Sequence, residues 1–472
     1  MTSGTTGGGT GREIGWESRS NDVSGQVVGG VVQARDVYGV YLGEAAPPAA
    51  TPWQLPLLTH AFVDRTEESD QLDLITAPGP VPVIAVLTGM AGVGKTAFAL
   101  DWCRRNAGRF PGGLLHADLD DYRSEGGVVV ADVLASFLRA LGARDVPPDL
   151  PGRAALFRGL TSRASTLVLL DGVDAPAQVR VLVPASPGSV VLVASRFRLG
   201  GLVADGARGV ELRPLPPGPG AELFVSAVPD GRVESDPAAV RDLVRLCGGL
   251  PMALRVAAAR LSTHPRWAVA DLVGHLADER TRVDRLSVED RRVGHVFDAA
   301  YASLPEPGRL AYRALGLHPG PEFGYGVVVA ATADERPEDS VEQLCQANLL
   351  EECAFGRFRF NPLVRLHARG RAVREDTAFA RAGVEHRIVR WYLLGAEAAD
   401  AAWFAAERDN LRSAVRLAHV SGLHDEVWRL CEALEAFDHD WGELRELGVD
   451  SARRTGDPLA ETWSRRAGGP RG

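Results

Sequence analysis

Gly89-Met90-Ala91-Gly92-Val93-Gly94-Lys95-Thr96 follows the spacing G-x-x-x-x-G-K-[ST], and its flanks decide how the rest of the chain is read. Before it, Val81-Pro82-Val83-Ile84-Ala85-Val86-Leu87 is an apolar, β-branched run that predicts a buried strand. After it, Ala97-Phe98-Ala99-Leu100-Asp101-Trp102 predicts a helix. Between the two, the backbone of Gly89, Ala91, Gly92, Val93 and Gly94 would close its N–H groups around a phosphate. The helix N-terminus that follows already favours an anion. Lys95 would bridge the β- and γ-phosphates, and the Thr96 hydroxyl would complete a Mg²⁺ shell. A chance match is the competing reading, because only four positions are specified. A strand before and a helix behind favour the phosphate loop.

The same alternation of strand and helix extends from about Phe62 to Pro214. Gly113-Leu114-Leu115-His116-Ala117-Asp118-Leu119 reads as a strand. Leu167-Val168-Leu169-Leu170-Asp171 reads as an apolar strand ending in a carboxylate, where an acid would hold Mg²⁺ through water. Many buried strands end in Asp, so this pattern gains its meaning from the loop upstream. Ser189-Val190-Val191-Leu192-Val193-Ala194-Ser195-Arg196 places Arg196 at the same edge of the sheet, where it would sense a γ-phosphate.

Composition bounds the rest. A chain of 472 residues is too long for one core, so three or four domains are expected, and 45% hydrophobic residues are enough to build them. A net charge of -9 argues against a nucleic-acid or anionic-membrane partner. Five scattered cysteines without C-x-x-C spacing suit a reducing compartment. With no signal-peptide pattern and no apolar run of membrane-spanning length, a cytoplasmic protein is expected.

The expected organisation is a disordered segment over 1–20, a β-prone segment over 21–43 and a Pro-rich linker over 44–60. A P-loop NTPase domain over 61–215, a helical domain over 216–290 and a winged-helix domain over 291–374 follow. Residues 380–460 form an α-helical region. In the β-prone segment Asp22, Val23, Gly25 and Gly29 recur fourteen residues later as Asp36, Val37, Gly39 and Gly43. Its Val and Tyr content, without proline, fits β-stacking between chains; one hairpin docked on the next domain fits equally. The winged-helix expectation rests on three helices and a hairpin, Leu349-Leu350-Glu351-Glu352 turning at Phe355-Gly356 into Arg357-Phe358-Arg359-Phe360. The fold class is thus an α/β P-loop NTPase with a parallel sheet, followed by helical, winged-helix and all-α domains.

From about Leu55 to Ala372 the motifs, in order, resemble the STAND class of signalling ATPases, in the NB-ARC group. Val63-Asp64-Arg65-Thr66-Glu67 resembles the motif that opens such domains, in which Arg65 approaches the nucleotide; the usual glycine is Asp64. Gly89 to Thr96 and Leu167 to Asp171 are its Walker A and B motifs, and Val193-Ala194-Ser195-Arg196 its sensor. Gly249-Leu250-Pro251-Met252-Ala253-Leu254 resembles the motif whose proline, here Pro251, packs on the adenine. Phe360-Asn361-Pro362-Leu363-Val364-Arg365-Leu366-His367-Ala368 falls where the family has Met-His-Asp, so Asn361 stands where a histidine holds the ADP β-phosphate. The acid that commonly follows the Walker B aspartate is Gly172 here. Trp403 to Leu411 resembles the start of a tetratricopeptide array, which needs three or more repeats, and the chain ends first. Gly25 to Gly43 is similar to short amyloid signalling motifs.

The resemblance implies a switch that binds ADP or ATP with Mg²⁺, closed with ADP and self-associating with ATP. It would signal to an unknown protein effector, with residues 21–43 as the candidate output. Lys95, Asp171 and Arg196 would carry any catalysis, at most a slow ATPase, since no base follows Asp171. The alternative is a nucleotide-controlled, winged-helix DNA-binding regulator. A basic recognition helix would favour that, but Ser340 to Gln346 carries no basic residue.

Overall fold

The loop-bearing sheet forms where the sequence runs apolar without interruption. The computed structural model describes residues 51–58 and 65–467, apart from 125, 229–230, 234, 290, 335, 399–400 and 436–441. The β-prone segment and its stacking lie outside the described residues.

The first part contains α1 (Thr66–Ile75), β1 (Val83–Thr88), α2 (Lys95–Arg105) and β2 (Leu114–Asp118). A short hairpin of β3 (Arg123–Ser124) and β4 (Gly127–Val128) precedes α3 (Val130–Ala140) and α4 (Leu150–Leu160). Then follow β5 (Leu167–Asp171), α5 (Pro176–Arg180), β6 (Val190–Ala194), α6 (Gly200–Ala204) and β7 (Arg208–Glu211). Five strands pair in parallel in the order β2-β5-β6-β1-β7. Parallel pairing needs a crossover between strands, which the helices supply on both faces, so the strands are buried on both sides. Alternate residues divide accordingly. Ala85, Leu87, Leu169 and Leu192 pack with Phe98 and Trp102 of α2. Val86, Val168, Leu170 and Val191 pack with Phe137 of α3 and Phe157 of α4.

Two features of the sheet differ from the sequence expectation. β7, with Arg208 and Glu211, has no apolar run to announce it and is an edge strand. At the opposite edge, residues expected in the linker join β2. Trp53 forms a parallel bridge with Leu114, Gln54 N–H donates to the Leu114 carbonyl (3.0 Å), and Leu55 is buried. A β2 edge with unpaired N–H and C=O groups favours such an addition.

Helices α7 (Pro217–Ala227), α8 (Pro237–Leu246), α9 (Pro251–Ser262), α10 (Val269–Leu276) and α11 (Arg282–Arg285) come next, then a hairpin of β8 (Ser287–Val288) and β9 (Arg291–Arg292). Pro251 opens α9 as its first residue, where the missing proline N–H costs nothing.

Beyond them stand α12 (Val293–Ala302), α13 (Glu306–Gly316), β10 (Phe323–Gly324), α14 (Tyr325–Thr332), α15 (Pro337–Gln346), β11 (Glu351–Ala354), β12 (Arg357–Arg359) and α16 (Pro362–Glu375). Four helices precede the hairpin where three were expected. The additional turns include α14, whose valine run Val327-Val328-Val329 has no helical repeat to reveal it. β10 pairs with β12, making a three-stranded sheet. A buried arginine meets two partly exposed carboxylates here. Arg313 meets Asp376 (3.0 Å) and Glu375 (3.1 Å), and the Tyr301 hydroxyl donates to Glu375 (2.5 Å). Buried His367 lies between the Tyr312 hydroxyl (2.9 Å) and Asp298 (3.0 Å). The chain continues through α17 (Ala378–Ala398), α18 (Ala401–Val420), α19 (His424–Glu435), α20 (Gly442–Thr455) and α21 (Pro458–Ala467). Among the described residues no helix is long and apolar enough to cross a membrane.

Candidate functional site

The carboxyl ends of β1, β5 and β6 bring Lys95, Thr96, Asp171 and Arg196 to one edge of the sheet. The loop that achieves this is shaped by backbone. Gly89 has φ +141°, and a Cβ there would meet the Leu212 carbonyl oxygen at 2.4 Å, so a larger residue cannot start this turn. Gly94 then opens α2 without any side-chain cap, so no side chain occupies the first-turn N–H groups there.

Lys95 folds over this loop, its Nζ donating to the carbonyls of Gly89 (2.7 Å) and Met90 (3.1 Å). Burial lowers its pKa to about 8, while Asp171 works against that shift and Arg196 adds to it. A lysine so placed gains from any anion brought beside it. The Thr96 hydroxyl donates to Asp171 Oδ2 at 2.5 Å, across the intervening β6, and Gly172 N–H donates to Asp171 Oδ1 (2.9 Å). A hydroxyl and a carboxylate held together in this way are hard oxygen donors suited to Mg²⁺. Among the described residues no group of three His, Cys, Asp or Glu side chains stands ready for a metal, so phosphate oxygens would have to supply the remaining ligands. The residues present fit a magnesium nucleotide: the loop N–H groups and Lys95 for phosphates, Thr96 and Asp171 for the cation.

Other elements close on the loop. Arg65, buried and with φ +97°, donates to Glu68 (2.8 Å) and to the Val93 carbonyl (3.3 Å), so it touches the loop backbone. From α9, Met252 N–H donates to the Gly92 carbonyl (3.2 Å), and the Pro251 ring lies beside Gly94. Arg196 stacks over Phe197 (5.6 Å) and is close enough to Lys95 to act on its charge.

Asn361, expected opposite a phosphate, is held by two protein groups. Its side-chain oxygen caps α16 by accepting from Leu363 N–H (3.0 Å), and its Nδ2 donates to the Gly248 carbonyl (2.8 Å). Gly248 has φ +60°, and a Cβ there would lie 2.5 Å from Asn361 Oδ1, so glycine is what lets the amide approach. Asn361 still lines a cavity of about 680 Å³ together with Gly89, Met90, Arg198, Asn348 and Arg365. A larger cavity, about 1030 Å³, opens between the β8–β9 hairpin, α12 and α16. It holds none of the loop residues, and its Asp278, Arg280, Asp298 and Arg374 mix both signs of charge.

One carboxylate at the site escaped sequence reasoning. Asp118 pairs in register with Asp171 on the neighbouring strand, so the two carboxylates share the site's edge. Burial raises its pKa, its bond from Asp120 N–H opposes this, and the Asp171 charge adds to it. The signal was present in the sequence as a second apolar strand ending in Asp. Asp174, two places beyond Gly172, is engaged elsewhere, paired with Arg123 (2.9 Å) and Gln178.

A parallel sheet in which a glycine loop joins the inner strand β1 to a helix, with an acid-tipped strand one place removed, defines the P-loop NTPase fold. No family model matches the chain. The chain is similar to the regulatory protein AfsR of Streptomyces coelicolor, 39% identical over 348 residues that make up 71% of this chain and 34% of that protein. AfsR of Streptomyces griseus is 37% identical over 372 residues, 76% of this chain and 37% of that one. The chain therefore spans about a third of the length of the curated relatives it matches. Among solved structures, a Walker-type ATPase of Pyrococcus abyssi superposes with a TM-score of 0.46 at 15% identity, covering 65% of this chain and 96% of the other. A STAND protein with a tetratricopeptide repeat sensor from Pyrococcus horikoshii gives a TM-score of 0.32 at 16% identity, over 89% and 66%. Scores this low carry no argument about function.

Proposed function

We propose that the chain is a signalling switch that binds ADP or ATP with Mg²⁺ at the loop and uses the bound nucleotide to set how its parts pack. The observation that carries this reading is the Thr96–Asp171 bond beside a loop whose lysine folds over Gly89 and Met90. Mg²⁺ would supply charge neutralisation at the phosphates. The loop N–H groups and Lys95 bind the anion, Thr96 and Asp171 orient the cation, and Arg196 reads the third phosphate. Helices α7–α10 act as a second wall through Pro251 and Met252, and α12–α16 act as a winged-helix lid. Similarity to AfsR regulatory proteins supports a regulatory role.

A DNA-binding role finds less support. On α15, the expected reading helix, the exposed side chains include Glu338, Asp339 and Glu342, which repel a phosphate backbone. For output, the fourteen-residue repeat supports templated β-assembly by residues 21–43, with self-association of ATP-bound chains raising its local concentration. A peptide of residues 21–43 should then form thioflavin-positive fibrils, and Val32→Asp should abolish them.

The direct test of the switch is the nucleotide itself. Denatured protein should release an adenine nucleotide that ion exchange identifies, and stripped protein should rebind ADP and ATP in titration calorimetry. Failure to bind either one, with or without Mg²⁺, ends this reading.

A further inference from the structure

Two contacts join the segment after β6 to the end of α15. Arg198 N–H donates to the Gln346 carbonyl (3.2 Å), and Asn348 Nδ2 donates to the Arg196 carbonyl (2.6 Å). Asn348 is 8% exposed and holds a left-handed backbone, φ +49°. That backbone is common just past a helix end, and glycine adopts it at least as easily as asparagine. Conformation therefore does not account for an asparagine here. The amide does, because it is the group that reaches Arg196.

Arg196 needs such help. Its guanidinium makes no ion pair among the described residues, resting over Phe197, yet its charge is felt at Lys95. An arginine that must meet a phosphate loses rotamer freedom in doing so, and a backbone already fixed lowers that cost. Asn348 also lines the same cavity as Gly89 and Met90, so the bond lies beside the loop.

We propose that Asn348 is a positioning residue for Arg196, and that this bond sets the discrimination between a nucleoside triphosphate and a diphosphate. The inference rests on the nucleotide-binding reading above. Only a γ-phosphate engages Arg196, so losing the bond weakens ATP and leaves ADP alone. The segment joining α15 to β11 thereby stays in register with the phosphate sensor.

The test compares affinities of the full-length chain for Mg²⁺ with a non-hydrolysable ATP and for Mg²⁺ with ADP, by titration calorimetry. Asn348→Gly keeps the backbone conformation and removes the amide; Asn348→Asp keeps the size and removes the donor. Asn348→Gly should weaken ATP about fivefold, the worth of one amide–carbonyl bond, with ADP affinity unchanged, and Asn348→Asp, which sets a carboxylate against the carbonyl, should weaken ATP further. In an Arg196→Ala background, Asn348→Gly should change neither affinity. Equal weakening of both nucleotides, or a Asn348→Gly effect that persists without Arg196, overturns the proposal. A parent chain that binds neither nucleotide is a different result and removes the switch reading itself.

Discussion

The loop edge of the parallel sheet and the α12–α16 bundle both bury charge, and they treat it in opposite ways. In the bundle, burial works against the charge on Arg313, but bonds to Asp376 and Tyr301 more than compensate and its pKa rises. At the loop, among the described residues, Lys95 donates to carbonyl oxygens, and burial lowers its pKa to about 8 although Asp171 works against the shift. The first arrangement is closed on itself and holds the fold. The second keeps a cation poised beside uncapped N–H groups, stabilised by whatever anion arrives. Poise of this kind separates a site from a structural ion pair.

The comparison can be broken most severely by removing each cation in turn. Arg313→Leu removes the bonds to Asp376 and Tyr301, while Glu375 keeps Arg371, and should cost about 2 kcal/mol of folding stability, with nucleotide affinity intact. Chemical denaturation of the ligand-free protein and calorimetry with ADP would measure both. Lys95→Met should do the reverse. Affinity falls roughly ten- to a hundredfold, as a charge-assisted contact worth about 1.5–3 kcal/mol disappears. Ligand-free stability at pH 7 rises, by at most about 3 kcal/mol. A loss of stability in Lys95→Met would mean that the loop lysine is structural.

Protons offer a subtler probe. Because folding lowers the Lys95 pKa from 10.5 to about 8, the unfolded chain binds more protons between those values. Stability of the ligand-free protein should therefore grow as pH rises from about 8 towards 10.5, and Lys95→Met should remove that rise. Nucleotide affinity should fall over the same range, about tenfold per pH unit at most. The other region answers at the acid end. Burial pushes His318 down to about 3, with Arg365 adding to the shift, and its Nε2 lies 2.8 Å from the Tyr392 hydroxyl. The unfolded chain takes up that proton first, so stability should fall as pH drops below about 6.5, and His318→Phe should flatten this acid limb. The smallest effect belongs to Asn361→Ala, which removes the α16 cap and should cost about 1 kcal/mol, read from the thermal midpoint.

The loop was legible because its chemistry is local. Glycines, a lysine and a threonine within eight positions leave few alternatives, and apolar runs announce β1, β5 and β6. What stayed hidden depends on neighbours distant in sequence. Asp118 gains its place only once β2 lies against β5, and β7 forms because an edge strand needs no apolar run. α14 carries consecutive valines without a helical repeat, and it forms where the bundle buries Val327 and Val328. Nor does the sequence show that the Asn361 amide reaches Gly248, more than a hundred positions earlier in the chain. Asn348 drew no notice, since nothing in the sequence tells which carbonyl a buried amide will reach.

The strand-like addition of Trp53 and Gln54 beside β2 has a mechanical consequence. Leu114 N–H donates to the Pro52 carbonyl (2.8 Å) and the Leu114 carbonyl accepts from Gln54, two bonds lying across the direction of the chain. A pull arriving from the N-terminal side would load both in shear at once instead of peeling them singly. The force would enter the sheet at the strand that carries Asp118, next to the one that carries Asp171.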